Sequence, residues 1–308
     1  MSTGSRATPE TTLPPQPRGR RLLSGLRPGI GLLTLPGWLV LLVLLFVPLL
    51  ILISYAFSTS HYYGGLEWHL TAENLRAVVD DTVVRSGVWS SLRLGVTVAV
   101  LTLVVAFPAA YIMVFRLTQR TRNLVMALIL ISLLSNYLIR VYAWRSILGD
   151  SGLINIALMR IGVVDEPLGW LLYSPTAVVM TLMQVFAPYV VVLLLASLEN
   201  IPKETLEAAE DLGSGFGSRL LRIIFPIAAP GIIGAFLYTM ILTAGDYVTP
   251  QLVGNGQSLL MGKIIVDRFS LMGDWSAGAA LSLLMLACFA IIWVLVTQLT
   301  RLMVRWTV

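Results

Sequence analysis

The sequence predicts an all-α integral membrane protein with six transmembrane helices. Hydrophobic residues make up 57% of the 308 residues and charged residues only 12%, about half the charged share of soluble proteins. Long apolar runs recur along the chain, and each is close to the roughly 20 residues that a helix needs to cross the hydrocarbon core. Since no polar interval is long enough to fold as a separate soluble domain, we expect one membrane domain.

Six apolar runs are assigned as spans. The first, from Gly37 to Phe57, has no charged residue and is longer than the apolar run of about 7 to 15 residues in a cleaved signal peptide. We therefore expect it to be retained as a span. The other five are predicted at Leu92 to Phe115, Asn123 to Trp144, Thr176 to Leu198, Arg222 to Tyr247 and Ser276 to Leu299.

The N-terminal segment, residues 1–32, is basic and poor in apolar residues, a composition typical of disordered tails. Residues 33–308 form the predicted transmembrane domain. Six spans place both termini on one side of the membrane. Thirteen of the 21 Lys and Arg residues fall in the tail, in the loops after the second and fourth spans, and at the C-terminus. Because short cytoplasmic loops are enriched in Lys and Arg, we expect both termini to be cytoplasmic.

One predicted cytoplasmic interval, residues 199–226, is polar and rich in glycine. Asn200 is a predicted N-cap of a short two-faced helix. Gly213, Gly215 and Gly217 then provide the positive-φ freedom that ends a helix and turns the chain back. The apolar side of the helix is formed by Leu206, Ala208, Ala209 and Leu212. On composition alone, an ordinary polar loop between two spans is an equal alternative.

Two ionisable side chains are predicted near membrane depth, Asp246 at the external end of the fifth span and Arg140 at that of the third. A charged group at mid-helix costs about 2.5 to 3.5 kcal/mol or more, so both are candidates for a solute path in which Asp246 attracts a cation and Arg140 positions it. The alternatives are an ion pair between the two or snorkelling to the interface. Asn136, Tyr137 and Tyr142 are either path-lining residues or interhelical hydrogen-bond partners.

The sequence contains no recognisable catalytic motif. The nearest approach to a nucleotide-binding loop, GNGQSLLMGKI, has five residues between Gly256 and Gly262, and Ile264 replaces the Ser or Thr that would hold magnesium. HExxH and GxSxG motifs are missing, and His61 and His69 have no third ligand at useful spacing. We therefore expect no catalytic residue, metal site or bound cofactor in this chain, and energy for transport must come from a partner or an ion gradient.

The spacing within residues 207–226 resembles the EAA loop of binding-protein-dependent ABC importers. Glu207-Ala208-Ala209, three residues, Gly213, nine residues and then Ile223-x-Phe225-Pro226 match that pattern, except that the family has leucine at the position of Phe225. In the family this loop is a coupling helix that docks on a cytoplasmic ATPase subunit. The resemblance implies that the ATPase contact is made by Glu207, Ala208, Ala209, Gly213, Ile223 and Pro226.

Further stretches resemble permease subunits of bacterial spermidine/putrescine importers. They include LIRVYAW at 138–144, GVVDEPLGWLLYSPTAVV at 162–179 and DWSAGAA at 274–280, and the resemblance covers roughly residues 36–300. It implies the type I ABC importer permease fold, a bacterial plasma (inner) membrane location and a polyamine or similar small cation as solute. ATP and Mg would be bound by the partner ATPase.

The implied partners are ATP-binding subunits, a second permease in a heterodimer, an extracytoplasmic solute-binding protein and the lipid bilayer, with no nucleic acid. Three alternatives remain open: an ABC permease for an amino acid, iron or an oxyanion, an ion-coupled secondary transporter, and a structural membrane scaffold. An ion-coupled carrier is expected to have inverted repeats and several midplane charges. The sequence shows no strict repeat and two such charges.

Overall fold

The computed structural model describes residues 28–60, 66–67, 71–256 and 259–307. His61, His69 and residues 1–27 of the predicted tail lie outside these ranges. The chain divides into two units, residues 1–51 and 52–308. In the first unit the described residues belong to one helix, which continues into the second unit and starts at Pro28, inside the predicted tail.

The described chain is almost entirely helical. Two short antiparallel strands, β1 (Thr59–Ser60) and β2 (Leu66–Glu67), follow the first helix. The helices are α1 (Pro28–Ala56), α2 (Glu73–Asp80), α3 (Thr82–Phe115), α4 (Gln119–Leu134), α5 (Tyr137–Leu148), α6 (Leu153–Arg160), α7 (Pro175–Leu198), α8 (Lys203–Asp211), α9 (Phe216–Arg219), α10 (Phe225–Gly245), α11 (Val248–Val253), α12 (Met261–Ser270) and α13 (Trp275–Thr307), with a π-helical turn at Leu220–Ile224.

Five of the six predicted spans are each a long apolar helix, and the third is divided between shorter helices. Within the described residues, five helical segments are long and apolar enough to cross a membrane, and α4 together with α5 and α6 gives a sixth that bends by 98°. The five are Leu35–Ala56, Thr82–Phe115, Pro175–Leu198, Phe216–Gly245 and Trp275–Gln298. The chain is therefore a multi-span helical membrane protein.

The third span is not the continuous helix that we predicted from Asn123 to Trp144. Ser135 and Asn136 are both extended, and the Asn136 side chain accepts a hydrogen bond from the Leu138 backbone N–H at 2.8 Å. Asn and Ser compete with helical hydrogen bonding through such local bonds. Asn136 therefore caps a new helix, α5, at the point where an apolar run alone predicts continuation.

One half of the core, on the side of the 199–226 loop, lies between α3, α7 and α10. Ala106 and Ala110 of α3 pack in one buried cluster with Leu194 and Leu198 of α7 and Ala228 of α10. The alanines permit a close approach of the helices, because van der Waals packing at small residues is the main source of helix association in a membrane. These three helices form the frame from which the 199–226 loop projects.

Gly231 of α10 lies close against α7. A Cβ atom at Gly231 would lie 2.3 Å from the Cβ of Ser197, whereas a Cβ at Gly234 would have nothing within 4 Å. Gly231 therefore permits a close approach of the two helices, whereas Gly234 lies in open space. Since Ser197 lies one residue before the end of α7, this contact fixes α10 beside the start of the 199–226 loop.

Candidate functional site

The 199–226 loop begins with α8, which lies on the surface of the bundle. Leu206 is half-buried against the α3–α7 core, whereas α8, described over its whole length, has no buried residue. Glu207 and Ala208 are exposed and Ala209 is half-buried. The predicted apolar side is therefore only partly covered, and Leu212 just after the helix is 89% exposed.

The predicted N-cap of α8 is wrong. Asn200 donates from Nδ2 to the Ala196 carbonyl at 2.9 Å and so binds the end of α7. The residue before α8 is Pro202, which offers no capping side chain. Glu204 lies in the first turn, where its negative charge interacts favourably with the positive end of the helix dipole. The N-terminus of α8 is thus stabilised by charge and by the fixed φ of proline.

Gly213 ends α8 in the manner that we predicted. Its φ is +80°, and the backbone N–H groups of Gly213 and Ser214 donate to the carbonyls of Glu210 and Ala209 at 2.8 and 2.9 Å. This pair of bonds is the Schellman motif, which requires a left-handed residue at that position. Gly215 has a φ of −67° and Gly217 lies inside α9, so the positive φ predicted for both is wrong.

The loop returns to the membrane domain through the π-helical turn. The Phe225 backbone N–H donates to the Leu220 carbonyl, which is the i to i+5 bond of a π-helix. Pro226 follows in the first turn of α10, where its missing N–H is tolerated. Ile223 is half-buried and Ile224 fully buried in this turn. The Ile-x-Phe-Pro part of the pattern therefore anchors the loop to the core.

A cleft of about 390 Å³ lies between the end of α3 and the 199–226 loop. Tyr111 and Phe216 meet edge to face in it, with ring centres 5.8 Å apart. Arg219 forms an ion pair with Glu210 across the α8–α9 turn. The residues that line the cleft are Tyr111, Phe115, Arg116, Lys203, Leu206, Glu207, Glu210, Phe216, Arg219 and Ile224. The cleft beside α8 is thus lined by aromatic rings and by side chains of both charges.

A second ion pair fixes the start of the loop. Arg122 in the first turn of α4 pairs with Glu199, the C-cap of α7. Both side chains are partly exposed, at 24% and 43%. The pair connects the start of α4 to the residue from which the 199–226 loop departs.

Asp246 lies at the break between α10 and α11, where both of its carboxylate oxygens accept hydrogen bonds. Tyr137 donates from its hydroxyl to Oδ2 at 2.7 Å, and the Val248 backbone N–H donates to Oδ1 at 3.0 Å. The Tyr137 hydroxyl also lies 2.6 Å from the Thr249 hydroxyl. Asp246, Tyr137, Thr249 and Val248, here termed the Asp246 cluster, connect α5 to the α10–α11 break.

Arg140 lies one turn after Tyr137 on α5 and has different partners. It is 8% exposed, donates from Nη1 to the Val185 carbonyl at 2.9 Å, and places its guanidinium 5.8 Å from the ring centre of Tyr189. In the described chain Arg140 neither pairs with Asp246 nor reaches the surface, and both of those alternatives are wrong.

Each of the three remaining predicted path residues has a different environment. Tyr137 is an interhelical hydrogen-bond partner, whereas Asn136 caps α5 and Tyr142 is 51% exposed. Sequence reasoning missed Thr249 and Tyr189. The Pro next to Thr249 is a signal of a helix break, but nothing in the sequence singles out Tyr189.

Several buried polar atoms on the same helices have no hydrogen-bond partner in the described chain. They are Nε of Arg140, Oγ1 of Thr181, Oε1 of Gln184 and Oγ1 of Thr243. Thr181 and Gln184 lie within a turn of Val185, and Thr243 lies a turn before Asp246. Among the residues that the structure describes, no group of three His, Cys, Asp or Glu is arranged to hold a metal ion.

Comparison with known proteins extends over most of the chain. Residues 106–307 match the family described as binding-protein-dependent transport system inner membrane component. The spermidine/putrescine transport system permease protein PotB of Escherichia coli K12 is 32% identical over 252 residues, which cover 82% of this chain and 90% of the relative. The inner membrane ABC transporter permease protein YdcU of the same organism is 26% identical over 283 residues, covering 86% and 88%.

A solved structure with the same fold is a chain of a bacterial alginate ABC transporter in complex with alginate pentasaccharide-bound periplasmic protein. It has a TM-score of 0.73 and 14% identity, and the match covers 89% of this chain and 94% of that one. At this identity the likeness establishes the fold alone, which is that of a type I importer permease. The family match, the PotB relative and the membrane spans together show that this chain belongs to the binding-protein-dependent transport system inner membrane components, as a multi-pass ABC importer permease of the bacterial plasma membrane.

Proposed function

We propose that the chain forms half of the translocation path of an importer for a polyamine, such as spermidine or putrescine, or a similar small organic cation. The similarity to PotB over 82% of this chain carries the solute assignment. The chain itself catalyses no reaction. A partner ATPase binds ATP and Mg and drives transport through the 199–226 loop.

The exposed surface of α8 supports the proposed ATPase contact. Glu207 and Ala208 face solvent, and no residue of the helix is fully buried. Leu212, just after the helix, adds a large apolar side chain that is 89% exposed. Ala209 and Gly213 form the stop that orients this surface.

The root of the loop supports transmission of force to the spans. Ile223 and Pro226 lie where the π-helical turn joins α10, and π-turns occur often at functional sites. A rigid short helix on this joint moves α10 when the ATPase subunits close. Rigid-body movement of packed helices is a common way of switching between two conformations.

The Asp246 cluster is the proposed solute contact. Asp246 is a half-buried carboxylate at a helix break in a membrane span, and such residues commonly mark a solute pathway. In our proposal an amine of the solute replaces the Tyr137 hydroxyl at Oδ2, while Arg140 holds α5 against α7. Asn136 and Tyr142 line the path near the α4–α5 break.

The complete transporter in this proposal contains a second permease in a heterodimer, ATP-binding subunits and an extracytoplasmic solute-binding protein. Both termini and the 199–226 loop lie in the cytoplasm, with a basic tail before α1. The excess of Lys and Arg in the tail and in the loops on that side supports this orientation. The family's dependence on a binding protein supports that partner.

Co-purification tests the proposed coupling. The full-length chain, expressed with its transporter subunits, should retain a soluble ATPase in a fixed ratio and support ATP-dependent putrescine uptake. Ala208→Arg should lose most of the bound ATPase and most of the uptake, because a long charged side chain replaces a methyl group on the docking face. Ser151→Arg, at an exposed position in the α5–α6 turn, is the control and should lose neither. Uptake that persists without an ATPase would instead establish a secondary transporter.

A binding screen tests the solute class separately. The cognate solute-binding protein should bind putrescine or spermidine in preference to amino acids, iron and oxyanions. Preference for one of these other solutes would remove the polyamine assignment and leave the permease assignment in place.

A further inference from the structure

A cleft of about 340 Å³ opens on the side of the bundle between α2, α3 and α13. Of the described residues that line it, Arg85 alone is charged. The lining residues are Val78, Val79, Val84, Arg85, Val88, Trp89, Leu284 and Cys288. The cleft therefore offers a hydrocarbon surface with one cation at its edge.

The cation lies at the depth of lipid headgroups. Arg116, the C-cap of α3, lies beside α8 in the 390 Å³ cleft. With a rise of about 1.5 Å per residue, Arg85 is about 46 Å from Arg116 along α3. A bilayer with its headgroup regions is about 40 to 45 Å thick. Arg85 is therefore level with the headgroups of the leaflet on the side opposite α8.

Trp89 lies one turn deeper than Arg85 and is 70% exposed. Tryptophan is enriched at the boundary between headgroups and acyl chains, because its ring is apolar and its N–H remains near water. Its position in the cleft thus fits the boundary between the polar and apolar parts of one lipid.

The other end of the cleft lies in the hydrocarbon region. Leu284 and Cys288 are roughly 14 and 20 Å from Trp275 along α13, and Trp275 starts that helix. The cleft consequently runs from the headgroup level at Arg85 down along the bilayer normal. This direction is the one that an acyl chain takes.

Arg85 is available for an external anion. It forms no ion pair with any residue that the structure describes. Asp81, one turn before it, accepts a hydrogen bond from the Val83 backbone N–H at 2.7 Å as the N-cap of α3. The carboxylate at the start of α3 is thus used in capping, and α3 itself contains no Asp or Glu.

From these observations we propose that the cleft binds one phospholipid of the leaflet opposite α8. The lipid phosphate pairs with Arg85, Trp89 packs at the level of the glycerol, and one acyl chain lies along Val88 and Leu284 toward Cys288. A bound lipid covers apolar surface between α2, α3 and α13 that the chain's own side chains leave open. This site is separate from the 199–226 loop and from the Asp246 cluster.

Photocrosslinking with a lipid probe tests the proposal. The full-length chain, together with its transporter subunits, is placed in vesicles of phosphatidylethanolamine that contain phosphatidylglycerol with a diazirine in the middle of one acyl chain. After illumination, mass spectrometry should find the probe on the peptide that contains Leu284 and Cys288. Arg85→Ala should reduce this product about fivefold, the expected effect of removing one basic residue near a lipid surface, and Arg85→Lys should restore most of it.

Two further variants separate the cleft from general lipid contact. Leu284→Trp fills the cleft without changing its charge and should also reduce the product. Arg93→Ala removes an exposed arginine on the same helix that faces another cleft and should leave the product unchanged. Equal labelling of wild type, Arg85→Ala and Leu284→Trp would overturn the proposal. A decrease in Arg93→Ala as large as that in Arg85→Ala would also overturn it. A crosslink from this peptide to another protein in place of the lipid would identify a partner helix as the occupant and would also overturn it.

Discussion

The 199–226 loop and the Asp246 cluster use their polar groups in opposite ways. In the loop, backbone bonds around Gly213 shape the chain and leave Glu207 and Ala208 exposed. In the cluster, both oxygens of Asp246 accept hydrogen bonds within the chain, from Tyr137 and from the Val248 backbone. The loop presents a free surface, whereas the cluster is closed on itself.

This difference separates two kinds of functional effect. Side chains on an open surface contribute little to folding, so changes there should alter docking while the protein stays assembled. A closed polar cluster inside a membrane span contributes to stability, because a group that loses its partner has no water to bind. A solute that enters the cluster must therefore replace an internal hydrogen bond.

Asp246→Ala should have the largest effect on stability. It leaves the Tyr137 hydroxyl and the Val248 N–H without their acceptor, and each unsatisfied buried group costs about 1 to 3 kcal/mol. We expect a marked decrease in the midpoint of thermal unfolding in detergent and in the amount of protein in the membrane.

Asp246→Asn is the matched control for that change. Its amide oxygen still accepts one of the two hydrogen bonds, so the protein should assemble, but uptake of a cationic solute should fall because the negative charge is lost. If Asp246→Asn transports as well as wild type, Asp246 has only a structural role. If Asp246→Ala is as stable as wild type, the cluster is not closed in the way described.

Gly231→Ala should have the next largest effect on stability. Gly231 lies on α10, the helix that joins the 199–226 loop to the Asp246 cluster. The added methyl would lie 2.3 Å from the Cβ of Ser197, and overpacking of this kind costs about 1 to 3 kcal/mol. We expect α10 to shift away from α7, with a lower unfolding midpoint and weaker uptake. Gly234→Ala has open space around its new Cβ and should behave as wild type, so equal effects of the two changes would contradict this interpretation.

Gly213→Val should affect the open loop with less effect on the bundle. The left-handed conformation at φ +80° costs a residue with a side chain about 1 to 2 kcal/mol, and more for a β-branched residue. We expect normal levels in the membrane but a lower rate of solute-stimulated ATP hydrolysis in the reconstituted transporter.

Gly215→Val provides the comparison for Gly213→Val. Gly215 has an extended conformation that valine readily adopts, and its new Cβ would meet nothing within 4 Å. Coupling should therefore persist. Loss of coupling in both variants would show that the loop tolerates no bulk at all, and the left-handed stop would not be the cause.

The sequence was sufficient for those parts of the fold that depend on local composition. Apolar runs located the five continuous spans and the region of the broken third one, and the spacing from Glu207 to Pro226 indicated α8, the Gly213 stop and the return to α10. The break at Ser135 and Asn136 was missed, because two polar residues in an apolar run are compatible with a continuous span. Only the hydrogen bond from Leu138 to the Asn136 side chain shows that a new helix starts there.

The partners of the intramembrane residues were less predictable. Tyr137 and Asp246 were both candidates, but they are 109 residues apart, and their contact depends on how α5 packs against the α10–α11 break. Arg140 was paired in one interpretation with Asp246, whereas in the structure its acceptor is the Val185 carbonyl of α7. Long-range pairing of polar groups follows from helix packing, which a single sequence does not specify.

Removal of the Arg122–Glu199 ion pair should have a smaller effect than the changes at Asp246, Gly231 and Gly213. Both side chains are partly exposed, and ion pairs of this kind contribute about 0 to 1 kcal/mol. Because Glu199 is the residue from which the 199–226 loop departs, we expect Arg122→Ala and Glu199→Ala to reduce coupling slightly and to leave the spans intact. A double-mutant cycle on uptake measures the pair directly, since the double variant should lose no more than either single variant. Additive losses would mean that the two residues act independently, and the position of the loop would then depend on its backbone bonds and on the Gly231 contact alone.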